Sequence, residues 1–126
     1  RTLRRLRAAG LRIAALTNNY DTEPLPDPDA QAKAEAEHQK FVALFDCFIE
    51  SRVVGLSKPD LRFYEHALRE LGCQASDAVF LDDIGANLKT AKKMGIHTIL
   101  VHNDTEVSFH EALRELETVT GVSLLE

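Results

Sequence analysis

Val79-Phe80-Leu81-Asp82-Asp83-Ile84-Gly85-Ala86-Asn87 decides the fold: an apolar run, two adjacent carboxylates, a glycine, then the start of a helical pattern. A short apolar run bounded by turn residues, with Leu88, Ala91 and Met94 following at helical spacing, predicts a strand, a loop and a helix. That is the repeating unit of a parallel α/β sheet, in which ligands bind beyond the carboxyl ends of the strands. Two carboxylates side by side at such a tip repel each other unless a cation or a lysine separates them. A bare Asp-Asp pair also reads as a polar turn or a helix cap, so the rest of the chain has to choose between the two readings.

Working outward, the same alternation recurs on both sides. Residues 2–9 carry Leu3, Leu6 and Ala9 at helical spacing and stop at Gly10, suited to the left-handed position past a helix end. Residues 11–16 are apolar and end in Thr17-Asn18-Asn19, polar groups placed at a second strand tip. Residues 21–29, with Pro24, Pro26 and Pro28, predict a surface loop, because proline fixes φ and removes a donor. From Ala30 the chain is alanine-rich and charged, a helix by propensity that gains an apolar face only at Phe41, Val42, Leu44 and Phe45. Residues 46–50 predict a strand and residues 51–57 a loop containing Gly55. Lys58-Pro59-Asp60 opens a helix with a buried stripe of Leu61, Tyr64, Leu68 and Leu71, ended by Gly72. Proline suits the first helical turn and biases Lys58 toward extended geometry, turning its side chain away from the helix body. After Gly95, residues 96–101 are another strand. Asn103 with Glu106 resembles a capping box for a last helix, with Phe109, Leu113 and Leu116 facing inward before Gly121.

Helix and strand therefore alternate throughout, which predicts a doubly wound parallel α/β sheet. The chain has 126 residues, 44% of them hydrophobic, the size of one domain spanning 1–126. A net charge of −5 and the absence of a basic stripe with interleaved aromatics argue against nucleic acid as a partner. Arg1, Arg4, Arg5 and Arg7 read as the solvated face of the first helix. Cys47 and Cys73 have no metal or disulfide spacing and read as thiols of a reducing compartment, the cytoplasm. With no long apolar run and no signal peptide, no membrane association is expected. An initial Arg in place of Met suggests an amino terminus lying elsewhere.

The chemistry follows from what the strand tips bring together. Thr17, Lys58 and the Asp82-Asp83 pair each lie at or just after a strand end, far enough apart in sequence to come from different strands. A hydroxyl with free backbone N–H groups, an ammonium and a carboxylate pair able to hold Mg²⁺ are what a phosphoryl group requires. Taken singly, Thr17 reads as a strand-end hydroxyl and Lys58 as a surface lysine. Their agreement on one structural context is what favours a phosphate site. A phospho-acceptor receiver domain uses similar groups, but presents its acidic pair first and its lysine last, the reverse of the order here.

These residues resemble the haloacid dehalogenase (HAD) superfamily, and most closely its epoxide-hydrolase amino-terminal phosphatase branch. Leu16-Thr17-Asn18-Asn19 looks like the family's second motif, Gly55 through Lys58-Pro59-Asp60 like its third, and residues 80–89 like its fourth. The resemblance implies that Thr17 and the Asn18 backbone amide bind phosphate, that Lys58 contacts it, and that Asp83 ligates Mg²⁺. It also implies that Asp82 pairs with Lys58 or supports the metal shell, with Asn87 a neighbouring polar contact. The implied substrate is a small phosphorylated molecule, cleaved through an aspartyl-phosphate.

The family's first motif, an Asp-x-Asp whose first carboxylate is the nucleophile, has no match upstream of Thr17, and the helical cap that follows it is missing too. In the family's strand order, 5-4-1-2-3, the missing strand is the middle one. The expectation is a HAD-like core lacking its central first strand and cap, inactive alone, its sheet gapped or completed by a missing amino-terminal segment or another chain. The alternative is a non-catalytic phosphate- and metal-binding module, or a regulatory remnant, of the same fold.

Overall fold

The computed structural model describes residues 1–19, 23–102 and 104–125. Among the described residues six α-helices and four strands follow one another, alternating except where α4 succeeds α3: α1 (Thr2–Ala8), β1 (Ala14–Thr17), α2 (Pro28–Val42), β2 (Cys47–Glu50), α3 (Ser51–Val54), α4 (Leu61–Leu71), β3 (Val79–Asp82), α5 (Gly85–Lys93), β4 (His97–Leu100) and α6 (Glu106–Thr120). All pairing is parallel, but it falls into two separate pairs. β1 pairs with β2, Ala15 opposite Phe48, and β3 pairs with β4, Phe80 opposite Thr98.

β1 and β3 are the facing strands of the two pairs, joined by side chains and not by a ladder. On one face, Leu6, Ile99, Ala112, Leu116 and Leu124 form a cluster that takes in Ile13 from beside β1 and Val79 and Leu81 from β3. On the other face, Tyr64, Ala91 and Ile96 gather Leu16 of β1 and Phe80 of β3. A third cluster, Ile49, Phe63 and Ala67, packs α4 under the β1–β2 pair. Helices thus cover both faces, as a doubly wound sheet requires, while every residue of β1 stays only half-buried. A central strand of such a sheet is normally buried on both faces. The gapped sheet expected from the absent first motif is the architecture found.

The local chemistry explains most boundaries. Asp46, just before β2, accepts from the Ile13 N–H at 2.7 Å and from Arg7 at 3.1 Å, tying the start of β1 to α1. The Ile13 N–H above all, then the charges of Arg7 and Arg12, hold its carboxyl below the usual carboxylate range. Arg7 is therefore engaged and not merely solvated, and Arg5 reaches the Ser123 carbonyl at 3.3 Å.

Several expectations need correction. Residues 51–57 are not all loop: the chain continues from β2 into α3 and stops at Gly55, whose φ of +80° is the left-handed conformation. Pro28 is helical, standing in the first turn behind the Asp27 cap, where its missing N–H costs nothing. Pro59 lies outside its helix, because Asp60 is the cap, accepting from the Arg62 N–H. The buried residues of α4 are Phe63, Tyr64 and Ala67, while Leu61 is exposed. This helix serves two clusters at once, so its buried arc is shifted from the single stripe that periodicity suggests. In α6, Ala112 joins Leu113 and Leu116 inside and Phe109 is exposed. Thr105 caps α6, accepting from the Ser108 N–H; Asn103, proposed for that role, lies outside the described residues, as do Asp21 and Thr22 of the proline loop.

Candidate active site

The carboxyl ends of β1 and β3 meet at Lys58. Its ammonium lies 3.0 Å from Asp82 Oδ2, and both side chains are largely buried, 13% and 5% exposed. Lys58 precedes Pro59, a position pushed toward extended backbone, and the chain between α3 and α4 carries it over the tips. Asp82, the last residue of β3, is held on every side. Its Oδ1 accepts from the Ile84 N–H at 2.9 Å, and its Oδ2 also takes a bond from Asn87 Nδ2 at 3.2 Å. Asn87 is buried in the first turn of α5, and its backbone carbonyl accepts from the Tyr64 hydroxyl at 2.7 Å.

The electrostatics follow from these contacts. Burial pushes the Asp82 carboxyl up, but the Ile84 N–H, the Lys58 ammonium and the Asn87 amide together outweigh it and hold it below the usual carboxylate range. A carboxyl so lowered stabilises the fold fully above its unfolded value and loses that contribution as pH falls through the folded one. Acid unfolding of Asp82→Asn should therefore be shallower than that of the unsubstituted chain below about pH 4. Equal slopes in circular dichroism titrations would show that Asp82 gains nothing from its partners. Burial first, then the Asp82 charge, pushes the Tyr64 hydroxyl up to about 12, so it acts as a neutral donor.

The tip of β1 is organised from the other side. Asn18 accepts from the Lys58 N–H at 2.8 Å and donates to the Lys58 carbonyl at 2.9 Å. Thr17 Oγ1 donates to the Ile49 carbonyl at 3.3 Å. The Asn19 N–H donates to Ser51 Oγ at 2.7 Å, and Asn19 Nδ2 to Glu50 Oε1 at 3.0 Å. Glu50 is further held by Arg52 at 3.2 Å. Asp83 is exposed, one residue beyond the Asp82 pair.

The structure thus unites Lys58 with Asp82 and Asn87, and Asn18 with Lys58, and it sets Thr17 at the end of β1 and Asp83 beyond the end of β3. Sequence reasoning missed two supports: the Tyr64 hydroxyl, and the Asn19, Glu50 and Ser51 network. A tyrosine in a buried stripe must find a partner for its hydroxyl, and Glu50 ends an apolar strand; both signals were present. A cavity of about 310 Å³ lies elsewhere, along β2, lined by Asp46, Phe48, Val54, His66 and Glu70 among others, and includes none of Lys58, Asp82 and Asp83.

Both oxygens of Asp82 are engaged by N–H donors, so of the two adjacent aspartates only the exposed Asp83 would be open to a cation such as Mg²⁺. Among the described residues no cluster of three or more His, Cys, Asp or Glu converges on a point. A firmly held Mg²⁺ needs more than one protein oxygen. The described residues thus offer the ion fewer protein oxygens than a firm site requires.

The chain is similar to several known proteins. Mouse acyl-CoA dehydrogenase family member 10 is 37% identical over 94% of this chain, which spans 10% of that protein. Mouse bifunctional epoxide hydrolase 2 is 49% identical over 65% of the chain, which spans 14% of it. The sesquiterpene phosphatase astK of Aspergillus oryzae is 33% identical over 75% of the chain and is spanned to 44% of its length. A crystal structure of an uncharacterized protein from Corynebacterium glutamicum has the same fold, with a TM-score of 0.78 over 99% of this chain and 82% of its own, at 18% identity. The family model for haloacid dehalogenase-like hydrolases matches residues 1–95, from α1 through β3 and its two aspartates to the end of α5. With the family model matched over three quarters of its length, the chain belongs to the haloacid dehalogenase-like hydrolases.

Proposed function

We propose that residues 1–126 form the phosphate-holding part of a Mg²⁺-dependent phosphatase core, hydrolysing a small phosphate monoester through an aspartyl-phosphate. The nucleophilic carboxylate comes from a strand outside these residues, seated between β1 and β3. The observation that carries this reading is the Lys58–Asp82 pair at 3.0 Å, standing over the slot between the two strand pairs. One ammonium proton is spent on Asp82, leaving two for phosphoryl oxygens. Thr17 and the Asn18 backbone N–H hold the remaining oxygens, the Thr17 hydroxyl exchanging its long bond to Ile49 for one to the substrate. Asp83 gives one carboxylate to Mg²⁺, whose other ligands lie on the absent strand; when bound, the ion neutralises charge on the phosphoryl group.

The engaged state of the other carboxylates favours an outside nucleophile. Glu50 is tied to Asn19 and Arg52, and Asp82 to Lys58. An ion-paired carboxylate wrapped in N–H donors is a poor nucleophile. By the same observation, the second reading is a module that holds phosphate and metal without turnover. A cytoplasmic location, expected from the two cysteines of the sequence and their lack of disulfide spacing, is part of this proposal; among the described residues no helix is long and apolar enough to cross a membrane.

The test compares this chain with one extended by an upstream Asp-x-Asp strand, assayed on an aryl phosphate with Mg²⁺. The extended chain should turn over and the short one should not. Equal turnover by both would refute the outside nucleophile, and none by either would favour the non-catalytic module.

A further inference from the structure

We infer that Asn18 is a positioning residue whose side-chain amide fixes the Lys58 main chain, and thereby sets where the Lys58 ammonium stands. The inference rests on the phosphate-site reading and adds to it a role for the Asn18 side chain, distinct from that of its backbone amide. The carboxamide meets both main-chain polar groups of one residue 40 positions away, accepting from the Lys58 N–H at 2.8 Å and donating to its carbonyl at 2.9 Å. A residue in extended conformation presents its N–H and C=O on the same side, as it would to a neighbouring strand. Lys58 is biased to that conformation by Pro59, so Asn18 takes the place of a strand neighbour.

Lys58 is thus held at both ends. Its main chain is fixed to the tip of β1 and its ammonium to Asp82 at the tip of β3, 3.0 Å away. No β-ladder joins these two strands. A long lysine side chain loses much rotamer freedom on being fixed, and anchoring its base removes part of the wandering that would otherwise oppose the ion pair. Both partners are needed from Asn18: an acceptor for the N–H and a donor for the carbonyl. An alanine offers neither, and an aspartate offers only the acceptor.

The experiment is NMR on the full 126-residue chain, reading the Lys58 amide exchange rate and its side-chain ammonium and Hε resonances, with inorganic phosphate as the probe. Lys58 Nζ lies 5.7 Å from the centre of the Phe80 ring, whose ring current marks the docked lysine. In Asn18→Ala the Lys58 amide should exchange about tenfold faster and the phosphate concentration for half-saturation should rise about tenfold, the loss expected for a hydrogen-bonded anchor. The Hε resonances should move to those of a free lysine. Asn18→Asp should keep the slow amide while still losing the docked signature, which general destabilisation would not produce. Should Asn18→Ala fail to fold, Asn18→Asp and the unsubstituted chain decide: fast Lys58 amide exchange in the latter overturns the clamp. Unchanged Lys58 resonances and phosphate response in Asn18→Ala also overturn it. If phosphate leaves the unsubstituted chain unmoved while Asn18→Ala releases the lysine, the clamp stands and the phosphate reading falls.

Discussion

Replacing Lys58 with Met should destabilise the chain by about 3–5 kcal/mol, because it leaves Asp82 as a buried carboxylate without its cation. Asp82 is 5% exposed in its side chain, and the partners that remain, the Ile84 N–H and the Asn87 amide, carry no charge. The methionine fills nearly the same volume, so the loss measures electrostatics and not a cavity. Pairing Lys58→Met with Asp82→Leu should restore most of the stability, since removing both charges also removes their desolvation cost. Urea unfolding of the two single variants and the double provides the cycle. A loss below about 1 kcal/mol for Lys58→Met would mean that the pair behaves like an exposed surface bridge.

Tyr64→Ala should cost about 3–5 kcal/mol, the upper range for an aromatic removed from a core. Tyr64 is 1% exposed and lies in the cluster where Leu16 of β1 and Phe80 of β3 meet. Its ring stands edge-on to Phe80 with centroids 5.4 Å apart. The truncation removes packing that spans the slot and leaves the Asn87 carbonyl without its donor. Domains of this size are stable by only about 5–15 kcal/mol, so the variant should be close to unfolded at body temperature. Tyr64→Phe, which keeps the ring and drops the bond, should lose only about 1 kcal/mol. If the two substitutions proved equal, the hydroxyl and not the ring would be what holds the halves together.

What the sequence made legible was the alternation and the tip chemistry. Asp82-Asp83 after an apolar run and Thr17 after another are local signals that came out at or beside a strand end, whereas Lys58, expected just after a strand, lies between α3 and α4 and reaches the tips only through the fold. The Lys58–Asp82 contact followed once those tips were placed on neighbouring strands. Less legible were features set by tertiary packing. Phe63 is fully buried and Leu61 exposed because α4 touches two clusters, which a single periodic stripe cannot express. The short α3 depends on Ser51 bonding Asn19 across the β1–β2 pair, 32 residues away. The Asn18 side chain was equally hidden, since its partner is a backbone that only the fold brings near.

The open slot between β1 and β3 is the claim on which the rest depends, and amide hydrogen exchange tests it most directly. In a parallel pair, alternate amides of each strand point away from the partner. The Ile13 carbonyl accepts from Cys47, and the Ala78 and Asp82 carbonyls accept from His97 and Val101, which fixes the phase of each strand. By that alternation Ala14, Leu16, Val79 and Leu81 direct their N–H groups into the slot, while Ala15, Thr17, Phe80 and Asp82 direct theirs to β2 and β4. Exchange in the isolated chain should be fast at the first four and slow at the second four. Slow exchange at all eight would mean that the two pairs are joined in one continuous sheet, with no place left for a strand to bring the nucleophile.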